Sequence, residues 1–181
     1  MRVKKFSELN EEELQMLIEI HYNYWVRFNP KMTKENTEYK FLKLYTTDNL
    51  PIGIVLVDDF ENIVGFCVLK KENLKKYPDI YPWVSNLMIF EKYRNKGYGK
   101  LLLSYAEEIL KDLGYKRMYI WTDQVPDFYK KIGFTYKQDV EKNEGAATTT
   151  RASLPSCPTA ARRWCGGTAT SATGNATRTW C

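Results

Sequence analysis

Residues 87–100 read LMIFEKYRNKGYGK, and this stretch decides the fold. It begins as an apolar strand and passes through an R-x-x-G-x-G turn into an amphipathic helix. The start of a helix presents backbone N–H groups without partners and the positive end of the helix dipole. Glycines let a phosphate approach such a backbone closely, and Arg94, Lys96 and Lys100 add positive charge. The stretch therefore predicts a binding site for a diphosphate.

Of three other interpretations of this turn, one stays open and two are excluded. Short glycine motifs occur by chance, so a basic turn whose glycines serve only its geometry stays an alternative. The turn is not a Rossmann fingerprint, because it follows a predicted hairpin and not a first βαβ unit. It is not a P-loop either, since that motif needs Gly-Lys followed by Ser or Thr.

Apolar periodicity and capping residues predict the elements on both sides of the turn. Strands are predicted at residues 3–6, 52–57, 63–69, 82–90, 117–122 and 134–138. Helices are predicted from a cap at Asn10 to a stop at residues 29–30, from Thr33 to about Tyr45, and over residues 99–113 and 125–132. This order predicts an α/β (α+β) fold, in which a mixed, mostly antiparallel central sheet carries helices on both faces.

Composition excludes several classes of function. The chain has 181 residues and one histidine, His21, and its four cysteines show no C-x-x-C spacing, so we expect no metal. Cys67 lies in an apolar strand and is predicted to be a small buried group and not a nucleophile. No apolar run approaches the ~18 residues that span a bilayer, and the acidic start shows no export signal. We therefore expect a cytoplasmic protein that binds no membrane.

The last part of the chain differs in composition from the rest. Residues 1–144 hold 23 Lys and Arg against all 22 Asp and Glu, so this part is nearly neutral and gives no argument for binding nucleic acid. Residues 145–181 are rich in Ala and Thr and hold four arginines and no acid. We predict one domain over 1–144, followed by an atypical tail over 145–181 for which partial disorder is the expectation.

Two motifs together point to one family. Six residues of the turn stretch match the signature L-x-V-x-P-x-Y-R-x-x-G-x-G, with Glu91 in place of the proline: Leu87, Ile89, Tyr93, Arg94, Gly97 and Gly99. A later F-Y-x-x-x-G-F segment is matched by Phe128, Tyr129, Gly133 and Phe134. In these motifs and in element order, residues 1–140 resemble the GNAT family of acetyl-coenzyme A-dependent N-acetyltransferases, and the same fold is expected here.

The resemblance implies how the cosubstrate, acetyl-coenzyme A, would bind. Its pyrophosphate would sit on the backbone amides of the turn, with the Arg94 side chain nearby; these amides belong to Asn95, Lys96, Gly97, Tyr98, Gly99 and Lys100. Its pantetheine arm would run along the strand as a pseudo-strand, bonded to the backbone of Leu87, Met88 and Ile89. In the family a bulge splays this strand from the next, which here is 117–122. An N–H near Met88 would polarise the thioester carbonyl.

The resemblance also implies direct attack of an amine on the thioester, without a covalent acyl-enzyme. Tyr129 is the candidate general acid, because a phenol with a pKa near 10 can protonate a thiolate leaving group within hydrogen-bond reach. The alternative is that Tyr129 is only a packing aromatic on a short helix.

The acceptor side is less defined by the sequence. Family members often carry an acid or a histidine on the strand at positions that are Trp83 and Ser85 here, and neither side chain can act as the base. Asp123 is the best of the nearby carboxylates, since it follows the strand that faces the slot, and proton loss through water is the alternative. Tyr24 and Trp25 are candidate acceptor contacts or plain core and rim aromatics. His21 is predicted to be a packing histidine.

We therefore predict an N-acetyltransferase that acts on a primary amine of a small molecule, such as an aminoglycoside, a polyamine or an amino-acid derivative. We expect a monomer or a homodimer. Two alternatives stay open: acetylation of a protein amine, and a non-catalytic module that binds acyl-coenzyme A. The missing acid or histidine at residues 83 and 85 motivates the last of these.

Overall fold

The computed structural model of the chain describes residues 1–27, 31–122, 125–140 and 152–156. The strands are β1 (Arg2–Lys5), β2 (Ile52–Val57), β3 (Ile63–Lys70), β4 (Trp83–Ile89), β5 (Thr135–Val140) and β6 (Ala152–Ser156). The α-helices are α1 (Glu11–His21), α2 (Lys34–Tyr39), α3 (Tyr98–Asp112) and α4 (Pro126–Lys131). One π-helical turn, Tyr22–Val26, continues α1, and a second, Lys40–Leu44, continues α2.

Strands β1 to β4 form one antiparallel sheet in the order of the sequence. Every residue of β2 is buried, and so is every residue of β3 except Lys70, which explains their continuous runs of Ile and Val. Gly53 is required by close packing, because a Cβ there would lie 2.3 Å from the Phe6 ring. The predicted hairpin of residues 52–57 and 63–69 is confirmed.

The first two helices begin at their predicted caps. The Asn10 side chain accepts the Glu13 N–H at 2.8 Å, and the Glu13 carboxylate accepts the Asn10 N–H at 2.9 Å. This reciprocal pair satisfies two amides that the helix itself leaves without partners. The Thr33 hydroxyl accepts the Asn36 N–H at 3.2 Å and starts α2 in the same way. The stop predicted at residues 29–30 for the first helix lies outside the described residues.

The sheet has a hydrophobic layer on each face, as predicted. On one face, side chains of α1 and the α2 extension pack against β2 and β3, and this layer contains Leu17, Phe41, Val55 and Phe66. On the other face α3 packs through Leu102, Leu103 and Ala106. Cys67 is buried in this second layer, and burial raises the pKa of its thiol, which confirms its prediction as a small apolar group.

The strand predicted at residues 117–122 is wrong in its extent. This segment forms a single parallel bridge to β4, between Tyr119 and Trp83. Met118 and Ile120 are buried nevertheless, so apolar packing accounts for much of the periodicity seen in the sequence.

Part of the atypical tail pairs with the domain. Strand β6 runs antiparallel to β5, with Thr135 opposite Ser156 and Val140 opposite Ala152. A backbone ladder needs no apolar alternation, which is why the composition of this segment gave little sign of a strand. Residues 141–151 and 157–181 lie outside the described residues. The division at residue 144 therefore stays a prediction.

His21 is buried at the end of α1, as predicted for a packing histidine. Its ring lies 5.1 Å from that of Trp25 and is hydrogen-bonded by the Asn86 side chain. Burial, together with the positive charges of Lys70 and Lys40, lowers the pKa of His21 to about 4. The imidazole is therefore neutral at pH 7.

We expect this buried histidine to make the fold sensitive to acid. Its pKa is about 6.5 in the unfolded chain and about 4 in the fold, so below pH 6.5 the unfolded chain binds the additional proton. The free energy of unfolding should fall by about 3 kcal/mol between pH 6.5 and pH 4 through this one group. Urea titrations of the wild type and His21→Gln at pH 7.5, 5.5 and 4.5 isolate the effect. Parallel pH curves for the two proteins would contradict it.

Candidate functional site

Strand β4 and the segment that follows α3 meet at one point and then separate. The Val84 N–H donates to the Tyr119 carbonyl at 2.8 Å, and the Tyr119 N–H donates to the Pro82 carbonyl at 2.8 Å. Beyond this contact the structure records no pairing between β4 and residues 117–122 within the chain it describes. Within the described chain, the rest of β4 therefore has no recorded pairing partner on this side, and the resemblance implies a gap for the cosubstrate there.

A β-bulge in β4 creates this separation. Phe66 and Val68 of β3 pair with residues 88 and 85, so Cys67 faces both Asn86 and Leu87. Asn86 has φ +55°, a left-handed conformation that asparagine tolerates better than most residues. An extra residue bends the bulged strand and changes its twist. Asn86 was not identified in the sequence analysis. The only sequence signal for a bulge at this position is that asparagine adopts left-handed backbone conformations more readily than most residues.

The bulge also decides which amides of β4 face the gap. The Phe90 N–H donates to the Val64 carbonyl of β3 at 2.9 Å. Backbone groups alternate in direction along a strand, so Met88 also points towards β3 and Ile89 points away from it. The N–H expected near Met88 to face the gap is therefore that of Ile89.

The turn after β4 exposes a series of backbone donors. A 3-10 turn at Glu91–Tyr93 leads to Asn95 and Gly97, which have φ values of +61° and +81°, and α3 begins at Tyr98. Within the part of the chain that the structure describes, no acceptor is recorded for the N–H groups of residues 95–100. Residues 94–97 and 100 are exposed. These amides are thus available to a ligand at the positive end of a 15-residue helix.

Positive side chains surround these donors. Lys96 and Lys100 are exposed, and the Arg94 Nε donates to the Ile89 carbonyl at 3.1 Å. This bond ties the start of the turn to the end of β4, so Arg94 acts there as a brace as well as a charge. Beside it an open cleft of about 440 Å³ is lined by Glu19, Ile20, Asn23, Tyr24, Met88, Phe90, Glu91 and Arg94.

Tyr129 lies on α4, on the α3 side of the sheet. Its side chain is buried between the rings of Phe128 at 5.0 Å and Phe134 at 5.5 Å. Burial raises the pKa of the phenol, and the nearby Cys67 sulfur raises it further. The hydroxyl is therefore protonated at neutral pH. Phe128 packs against the start of α3, because a Cβ on Gly99 would lie 3.0 Å from its ring.

The candidate acceptor residues have different surroundings. Tyr24 is 50% exposed and stands edge-on to Trp25, which is partly buried. Ser85 is partly exposed next to the bulge. Trp83 is fully buried against Tyr119, and its role as a substrate contact stays a prediction. Asp123 lies outside the described residues.

Two further carboxylates near the candidate site, Glu91 and Asp127, are exposed. Glu91 lines the cleft, and Asp127 lies on the outer face of α4, where its carboxylate is 3.6 Å from the Lys130 ammonium. Among the described residues no group of three or more His, Cys, Asp or Glu side chains is arranged to hold a metal ion.

No helix of the described chain combines the length and apolar character that crossing a membrane would take.

Comparisons with known proteins agree on the fold. Residues 14–134 match the sequence profile of the acetyltransferase (GNAT) family. The structure is similar to that of an aminoglycoside 6'-N-acetyltransferase complexed with coenzyme A, with 16% identity, 86% of this chain and 96% of that chain covered, and a TM-score of 0.64. It is also similar to spermidine N-acetyltransferase from Vibrio cholerae in complex with coenzyme A and spermine, with 16% identity, 86% and 92% coverage and a TM-score of 0.61.

We expect Gly97→Ala to weaken binding of coenzyme A. A side chain at φ +81° strains the backbone by about 1 kcal/mol and turns the neighbouring amides, although nothing lies within 4 Å of the new Cβ. Gly114→Ala is a matched control at the other end of α3, with φ +85° and equally open surroundings. Both variants should lose similar stability in urea titrations. Only Gly97→Ala should weaken coenzyme A binding in calorimetry, by roughly tenfold if about one charge-assisted hydrogen bond is lost. Equal affinity in the two variants would contradict a role for these amides.

Proposed function

The chain belongs to the GNAT family of acetyltransferases, and from this premise we propose that it acetylates a primary amine of a small molecule. The acetyl group comes from acetyl-coenzyme A, and the amine attacks the thioester directly while both substrates are bound. Since the relatives above share less than a fifth of their residues with this chain, their substrates support a small-molecule amine without identifying it.

The observation that best supports the proposal is that backbone N–H groups along β4 continue directly into those of the turn. The edge of β4 that faces the gap leads directly into the six amides of residues 95–100, which have no recorded acceptor in the described chain. A ligand with a diphosphate and a long amide-containing arm matches both sets at once. A phosphate-binding turn alone would not need an unpaired strand edge.

Specific residues would hold such a ligand. The amides of residues 95–100 bind the diphosphate, and the Lys96 and Lys100 ammonium groups neutralise its charge. The gap-facing backbone of Ile89 and Leu87 pairs with the arm, which arrives from the turn and so passes Ile89 first. The thioester then lies at the bulge end of the arm, where a gap-facing N–H near Met88 can donate to the thioester carbonyl as negative charge develops on its oxygen.

Tyr129 acts as the general acid that protonates the leaving thiolate. Its place on the α3 side near Cys67, opposite the bulge, supports this role, because Cys67 faces Asn86 and Leu87 across the strands. Burial keeps the phenol protonated and excludes water from the developing thiolate.

The proton of the attacking amine leaves through water. Ser85 can hold a water molecule but cannot accept a proton as a base, and the exposed carboxylate of Glu91 is fully solvated. This assignment predicts that the acceptor must be partly deprotonated in solution before it reacts.

Calorimetry and an enzymatic assay together test the proposed function. Acetyl-coenzyme A should bind the full chain, and a panel of primary amines should release free thiol from it. Binding without turnover on any small amine would favour the non-catalytic module or a protein acceptor. Lack of binding would overturn the proposal.

We expect Tyr129→Phe to lower kcat by about 10²- to 10⁴-fold, the range usual for loss of a general acid. The Kd for acetyl-coenzyme A should change little, because the ring and its packing remain. Tyr119→Phe is the control, since it removes another buried hydroxyl, one that lies 3.5 Å from the Lys137 ammonium. An unchanged kcat in Tyr129→Phe, with chemistry shown to limit the rate, would exclude the acid role.

A further inference from the structure

Lys70 ends β3 on the face of the sheet that packs against α1 and α2. Its backbone pairs with Trp83 of β4, two residues before Ser85 and three before the bulge at Asn86. The ammonium lies 5.5 Å from the centre of the Tyr45 ring and is only partly exposed. Within the described residues the structure records no hydrogen bond and no ion pair for it.

Other polar groups collect around this ammonium, and we call the five residues the Lys70 cluster: His21, Lys40, Lys70, Ser85 and Asn86. The Nδ1 atom of His21, itself 95% buried, has no hydrogen-bond partner among the described residues. The Ser85 hydroxyl donates to the Asn73 amide oxygen at 3.3 Å and lies 3.5 Å from the Asn86 amide oxygen. Among the described residues the cluster therefore leaves the Lys70 ammonium and the His21 Nδ1 atom without a hydrogen-bond partner.

No carboxylate among the described residues compensates the charge of the cluster. Burial and then the charge of Lys40 lower the pKa of Lys70 to about 8, and no carboxylate of the described chain acts against them. Lys70 and Lys40 also act on His21, again without an acidic group. A desolvated ammonium without a counter-ion is costly, and a fold that keeps one leaves a place for an anion.

We propose that the Lys70 cluster binds a carboxylate of the acceptor, so that the amine acetylated belongs to an amino acid or a similar carboxylate-bearing molecule. This inference rests on the proposed function, because it takes the amine to lie beside the bulge. The arm of the cosubstrate approaches along β4 from the turn at residues 94–97. An acceptor on the α1 side then meets its acetyl group next to Asn86, within reach of Lys70.

The same charges disfavour polycations. Two ammonium groups next to the reacting amine repel a second or third amine on the substrate. The acidic side chains of the cleft do not alter this, because Glu19 forms an ion pair with Lys34. Glu91 lies in the turn beyond the other end of β4, six residues after Ser85.

A substrate panel gives the first test. Each amino acid is assayed with acetyl-coenzyme A beside its amide and its decarboxylated amine, for example lysine beside lysinamide and 1,5-diaminopentane. The free acids should have kcat/KM higher by roughly ten- to hundredfold, the effect of one charge-assisted hydrogen bond. Preference for diamines or for phosphate-bearing amines would overturn the inference, while the proposed function would stand.

Variants assign the effect to the cluster. Lys70→Met keeps the length of the side chain and removes the charge, and it should raise KM for the acids by roughly tenfold with little change for the amides. Lys40→Met should act in the same direction. Lys71→Met is the matched control, since Lys71 is the exposed neighbour, and it should change neither class. An acid-to-amide ratio that Lys70→Met leaves unchanged would overturn the inference.

A binding measurement separates this inference from the proposed function. Calorimetry with coenzyme A present compares N-acetylated amino acids with their amides, which requires no turnover. The acids should bind the wild type more tightly than the amides do and lose that advantage in Lys70→Met. Equal binding of acids and amides would overturn the carboxylate site. Failure of coenzyme A itself to bind would instead overturn the proposed function.

Discussion

The bulge at Asn86 and Leu87 is the constraint on which the rest of the site depends. Two residues of β4 face the single residue Cys67, and this reverses which backbone groups point towards β3. Before the bulge the Val84 N–H bonds to Tyr119, and after it the Ile89 N–H faces the open gap. A regular β4 would pair along its full length with the following segment and leave no edge for a ligand. The bulge requires a left-handed backbone conformation at Asn86, which asparagine tolerates. The Asn86 side chain is also hydrogen-bonded to the buried His21.

The bulge divides the site into two parts of opposite chemistry. On the turn side, backbone amides, Lys96 and Lys100 suit a diphosphate, and Arg94 braces the turn by its bond to Ile89. On the other side the Lys70 cluster collects positive charge without a counter-ion among the described residues. Tyr129 lies buried across the sheet from that cluster, on the α3 face. The proposed direct transfer would use both faces, with Tyr129 as the acid on one and the amine on the other.

Much of the fold could be predicted because its signals are local. The caps at Asn10 and Thr33 act within one helical turn, and both helices begin where those residues indicate. The hairpin follows from two β-branched runs and a short polar connection. The segment at residues 117–122 was mistaken for a full strand because buried alternation looks the same with or without a pairing neighbour. The burial of Trp83 could not be predicted for a related reason, since strand position alone does not reveal how deeply a side chain is buried.

The element order, the basic glycine turn at residues 94–99 and the F-Y-x-x-x-G-F segment with Tyr129 could all be read from the sequence, because each depends on residues close together in the chain. The bulge at Asn86, the direction of the Ile89 N–H away from β3 and the shared environment of Lys70, Lys40 and His21 emerge only in the folded chain. Those features arise between β3, β4, α1 and the α2 extension, segments far apart in sequence. The register of β3 against β4, and the effect of one charged side chain on another, depend on segments that meet only in the folded sheet, so a local pattern of residues does not predict them.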